Sequence, residues 1–114
     1  MELYYTELDN GIRLIKLTGK LDLSGTGQFE TEFTNCCAED GARVLVDLSE
    51  VDELTSRSIR FLTSIAQSLA RRHGRLVLLG ATGNVKNMLE GANIPSIIPM
   101  YESLESAEAV LLAS

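Results

Sequence analysis

The sequence has no tryptophan, one histidine, two prolines and two cysteines in 114 residues. Each scarcity removes a class of chemistry. The lone histidine, His73, ends the basic stretch Arg71-Arg72-His73, with Arg75 close behind. Such a cluster suits a helix C-terminus better than a catalytic base. Cys36 and Cys37 are adjacent. Neighbouring helix residues point in different directions, which disfavours a normal bridge, and no second pair completes a zinc site. They read as buried helix residues in a reducing compartment. No G-x-S-x-G elbow occurs. Gly19, Gly25 and Gly27 lack the G-K-[ST] ending of a phosphate-binding loop. Gly25-Thr26-Gly27 is weakly nucleotide-like, but Glu30 stands where the dinucleotide fingerprint needs its last glycine. A flexible connection into a helix is the simpler reading. Without a nucleophile–base arrangement, the expectation is a protein that is not an enzyme and carries no cofactor or metal.

Long apolar runs are also missing. None approaches the roughly 20 residues that span a bilayer. The opening MELYYTELDN is acidic and lacks the order of a signal peptide. A cytoplasmic location and no membrane insertion are expected. Positive charge is scarce too, with ten Lys and Arg against sixteen Asp and Glu, a net charge of −6. That balance argues against nucleic-acid binding, which needs cations set against phosphates. What remains is ordinary globular material: 45% hydrophobic and 23% charged residues. The length fits a single domain over residues 1–114.

Periodicity orders the elements. Residues 3–8 form a strand ending at the turn Asp9-Asn10-Gly11, and 12–17 form its hairpin partner. Residues 19–25 read as a loop, with Ser24 or Thr26 capping the next helix. In that helix Phe29, Phe33, Cys36 and Cys37 share one face. It runs to Asp40-Gly41, with Gly41 as the C-terminal cap. Val44-Leu45-Val46 and Leu76–Leu79 are apolar runs suited to strands covered on both faces. Between them Asp47, Glu50, Asp52 and Glu53 read as a solvated acidic turn. A helix then carries Ile59, Leu62, Ile65, Ala66 and Leu69 inward and stops at Gly74. A short helix with Val85, Met88 and Leu89 follows. Residues 97–101 read as a last strand, at an edge because of Pro99. The helix from Glu105 to Leu112 is expected to face Ala109, Leu112 and their neighbours inward. The order is β-β-α-β-α-β-α-β-α. This is an α/β chain with a mixed, mainly parallel sheet after an N-terminal hairpin.

The polar cluster Thr55-Ser56-Arg57-Ser58 opens the central helix. On the residues alone it is an N-terminal cap, a surface for a partner, or both. Phe61, one turn on, reads either as an exposed neighbour of Arg57 at an interface or as a flank residue tucked under another helix.

Three segments carry a resemblance: VLVDLSEVDELTSRSIRFL at 44–62, residues 74–107, and GKLDLSGTGQFE at 19–30. In this order and spacing the chain resembles the STAS domain of anti-sigma factor antagonists, also called anti-anti-sigma factors. The resemblance implies a STAS-like fold and a transcription-regulating, signal-transducing protein-binding role. In such proteins a Ser or Thr at this helix start is phosphorylated by a partner that is both anti-sigma factor and serine kinase. The unphosphorylated form holds that partner; the phosphorylated form lets go. The family pattern there is Asp-Ser-[Ser/Thr]-Gly-Leu, and this chain has Thr55-Ser56-Arg57-Ser58-Ile59. Arg57 occupies the acceptor position, so the resemblance leaves Ser56 and Ser58 as candidate phosphoacceptors. It places partner binding on Asp22, Ser24, Thr55, Ser56, Arg57, Ser58 and Phe61. The alternative is a non-phosphorylated accessory or scaffold STAS subunit of a transporter or signalling assembly.

Overall fold

A computed structural model describes residues 2–21 and 27–113. In chain order these form β1 (Glu2–Glu7), β2 (Arg13–Leu21), α1 (Gly27–Cys36), β3 (Arg43–Leu54), α2 (Ser56–Arg71), β4 (Arg75–Leu79), α3 (Gly83–Gly91), a 3-10 turn (Ile94–Ser96), β5 (Met100–Tyr101) and α4 (Leu104–Ala113). The alternation expected from the sequence is this order with one 3-10 turn added. The five strands lie in the order β1-β2-β3-β4-β5. The first pair is antiparallel and the rest are parallel.

Side-chain alternation divides the core between the two faces of the sheet. Ile15 and Leu17 of β2 join Phe33 of α1, Ile59, Leu62 and Leu69 of α2, and Val85 and Leu89 of α3. Ile12, Leu45, Val77 and Leu79 pack with Ala107 and Leu111 of α4 on the other side. Three helices therefore cover one face and α4 the other. β3 and β4 are enclosed from both sides, which is why their apolar runs are continuous.

Five boundaries or faces differ from the sequence reading, each for a physical reason. β2 runs on through Gly19 to Leu21 instead of breaking into a loop. The acidic segment after Asp47 is strand, not turn: β3 continues to Leu54. Pairing shifts between Lys16 and Thr18, and again between Gly19 and Lys20, each add one residue to β3. These two bulges let Leu48, Val51 and Leu54, spaced by three, all return to the core. Gly19 supplies a positive φ of 85° at the second shift. α1 ends at Cys36; Gly41 lies in the following turn, where its N–H donates to the Arg72 carbonyl at 2.8 Å. The last strand is only Met100–Tyr101 at the sheet edge. Pro99 precedes it and offers its carbonyl to the Leu78 N–H at 3.0 Å. In α4, Ala107 and Leu111 are buried while Leu112 is 45% exposed, so Ala109 and Leu112 do not face inward. Four consecutive apolar residues at 110–113 offer several faces, and the i, i+4 pair that meets Val77 and Leu79 prevails.

α2 closes at the basic cluster as expected. The left-handed residue there is His73 (φ 65°). Gly74 is needed for closeness instead: a Cβ on it would lie 2.7 Å from the Ala42 carbonyl oxygen.

Candidate functional site at the start of α2

β3 delivers the chain to Thr55, whose extended backbone (φ −112°, ψ 164°) makes it the N-cap of α2. The first turn of a helix leaves N–H groups without intrahelical partners. Here a reciprocal box satisfies two of them. Thr55 Oγ1 accepts from the Ser58 N–H at 3.2 Å, and Ser58 Oγ accepts from the Thr55 N–H at 2.9 Å. The Ser58 hydroxyl also donates to the Thr55 carbonyl at 2.8 Å. Ser58 is 1% exposed. Its oxygen is therefore both enclosed and occupied. Ser56, the first helical residue, stands out in solvent.

Arg57 is also exposed, and its Nη2 reaches Glu30 Oε1 of α1 at 3.1 Å. Phe61 lies one turn further along the same side. It is half-buried, with its ring edge-on to Phe33 at a centroid distance of 5.4 Å and an angle of 78°. The structure combines features of the two positions open to Phe61: its ring tucks against α1, and it stays partly exposed beside Arg57. Its remaining exposed edge lines a shallow groove of about 390 Å³ between α1 and α2, with Glu30, Thr34, Arg57, Arg60, Ser64 and Ile65.

The fold thus gathers Thr55, Ser56, Arg57 and Ser58 in one turn and sets Phe61 beside them. Asp22, Ser24 and Gly25-Thr26 lie outside the described residues, as does the side chain of Phe29. The sequence reading missed Glu30, Thr34, Arg60, Ser64 and Ile65. Half of the signal was present, because Arg57, Arg60, Phe61, Ser64 and Ile65 recur at helical spacing. The other half, that α1 runs alongside, is a tertiary fact.

Other chemistry is sparse. Burial pushes the Cys36 thiol up, and burial followed by the neighbouring Cys36 pushes Cys37 up to about 12. Neither thiol is a ready nucleophile near neutral pH. Among the described residues no group of three or more His, Cys, Asp or Glu is arranged to hold a metal ion. None of their helices is long and apolar enough to cross a membrane.

The family model of the STAS domain matches residues 5–107. The chain belongs to the STAS domain family. A relative in Bordetella bronchiseptica, BtrV, is named as a candidate anti-sigma factor antagonist; it is 28% identical over 109 residues, covering 96% of this chain and 93% of BtrV. An anti-sigma factor antagonist of Mycobacterium paratuberculosis has the same fold, with a TM-score of 0.86 at 17% identity over 97% of this chain and 93% of that one. The antagonist SpoIIAA in its unphosphorylated form superposes with a TM-score of 0.77 at 14% identity, covering 96% of each chain. The murine anion transporter Slc26a9 contains a similar fold: TM-score 0.75 at 14% identity, over 91% of this chain but 18% of the transporter. The STAS architecture expected from residues 19–30, 44–62 and 74–107 is therefore the one found.

Proposed function

We propose that this STAS domain is an anti-sigma factor antagonist. It binds an anti-sigma factor of the serine-kinase type through the first turn of α2, and phosphorylation of that turn releases the partner. The observation that carries this reading is the contrast between two hydroxyls two residues apart. Ser56 is exposed at the first position of α2, whereas Ser58 is enclosed and bonded within the cap. Ser56 is therefore the acceptor, and Ser58 would need the turn to open. A phosphate on Ser56 sits at the positive end of the helix, where it is tolerated by the fold. It adds about −1.5 to −2 charges to a surface that a partner must cover, and unpaired charge there is costly. Thr55 and Ser58 hold the turn in shape, and Arg57 and Phe61 supply contacts.

Phosphopeptide mass spectrometry on the protein from its own cells tests this. The expected result is phosphate on Ser56, lost in Ser56→Ala, with partner capture retained by Ser56→Ala and abolished by Ser56→Asp. Phosphate on Ser58, or equal capture by all forms, would overturn it. The similarity to part of Slc26a9 supports a second reading, an accessory subunit of a membrane assembly. Stable co-purification with a membrane complex and no ATP-binding kinase would favour that reading.

A further inference from the structure

The groove between α1 and α2 carries a local excess of positive charge in an acidic chain. The chain carries a net charge of −6. Within the groove two guanidiniums, Arg57 and Arg60, face one carboxylate, Glu30. Glu30 is engaged by Arg57 at 3.1 Å. Arg60 is exposed and has no carboxylate partner among the described residues. The floor between them is apolar, formed by the half-buried Phe61 and Ile65. Thr34 and Ser64 supply hydroxyls at the rim.

Arg57, Arg60, Phe61, Ser64 and Ile65 follow the i, i+3, i+4, i+7, i+8 spacing of one helix stripe. At 1.5 Å per residue the stripe is about 12 Å long, which is two turns of a helix laid alongside. Phe61 and Arg60 together have the composition of an interface anchor, an aromatic edge beside an unpaired guanidinium.

We infer that this groove receives an acidic amphipathic helix of a protein partner. Its apolar stripe rests on Phe61 and Ile65, and a carboxylate on its flank pairs with Arg60. A guanidinium binds a carboxylate with two parallel hydrogen bonds, which orients the incoming helix as well as attracting it. The general negative charge of the chain disfavours an acidic helix over its acidic surface; the groove and the Arg71–Arg75 stretch are exceptions, and the groove is the one that sets an exposed guanidinium beside an aromatic edge. A second copy docked groove to groove is not the occupant the charge selects, since it would oppose arginine to arginine. This inference names the partner chemistry at the site of the proposed function and rests on that reading only for its biological setting.

The probe is a synthetic helical peptide with leucines along one stripe and glutamates on both flanks. Its control has each glutamate replaced by lysine. Binding to the full chain is followed by fluorescence anisotropy and by amide chemical shifts. The expected result is binding of the glutamate peptide, with shifts centred on Thr34, Phe61, Ser64 and Ile65. Arg60→Glu should weaken it about tenfold with an unchanged melting temperature, and raised salt should weaken it further. The peptide reads only the groove and mass spectrometry only the phosphate, so a failed phosphoswitch and an empty groove are separately visible. No binding, equal binding of the lysine peptide, or no response to Arg60→Glu would overturn the inference.

Discussion

Helices α2 and α3 begin alike and end their first turns differently. Each follows a buried parallel strand on the same side of the sheet, and each has an extended threonine at its N-cap, Thr55 (φ −112°, ψ 164°) and Thr82 (φ −136°, ψ 162°). At α2 the third helical residue is Ser58, and the box closes. At α3 the third helical residue is Val85, which has no hydroxyl and is 1% exposed. Thr82 makes no side-chain cap bond there. Gly83, the first helical residue there, lies in the left-handed region at φ 55°. A threonine at the start of a helix is therefore only half a cap. The N-cap hydroxyl takes the backbone N–H three places on, and a hydroxyl there adds the return bond; α2 has both and α3 has neither. In this molecule the fully capped turn is the one that carries the candidate site.

Giving α3 the box that α2 has would break the comparison most severely. Val85→Ser supplies a hydroxyl at the third position but removes a buried apolar side chain, and the lost burial outweighs the cap. A loss of about 2–3 kcal/mol is expected in denaturant unfolding. Ser58→Ala, the converse change, leaves the Thr55 N–H without its partner and should cost about 1.5 kcal/mol. Hydrogen exchange should rise first in the opening turn of α2. Thr55→Ala removes the other half of the same box and should cost about 1 kcal/mol. A double Thr55→Ala, Ser58→Ala variant should lose less than the sum, because the two share one network. Thr82→Ala removes a side chain that caps nothing and should lie within about 0.5 kcal/mol of the parent. A loss at Thr82 equal to that at Thr55 would mean that the caps are equivalent after all.

How much of this was legible in the sequence varies with the range of the interaction involved. The alternation of strands and helices was readable because Val44–Val46, Leu76–Leu79 and the Ile59–Leu69 stripe repeat with the periods of their own elements. The cap at Thr55 was readable for the same reason, since its partner is three residues away. The length of β3 was not. Leu48, Val51 and Leu54 have neither period of a regular element until two bulges against β2 are counted. The inward face of α4 was hidden by an excess of apolar candidates. The placement of Phe61 was open until α1 was seen beside it.

The sequence by itself determined the order of the elements, the hydroxyl cluster at the head of α2 and the resemblance of that segment to anti-sigma factor antagonists. These depend on residues within a few turns of one another. Only the tertiary structure decided which hydroxyl is exposed and which is enclosed, that Arg57 reaches Glu30, and that Arg60 and Phe61 border a groove. The last two facts depend on α1 packing beside α2, residues more than twenty places apart in the chain. That packing follows from burying Phe33 and Phe61 against one another over a common core. Burial is non-directional and acts between whatever faces the sheet brings together, so no local pattern announces its partner in advance.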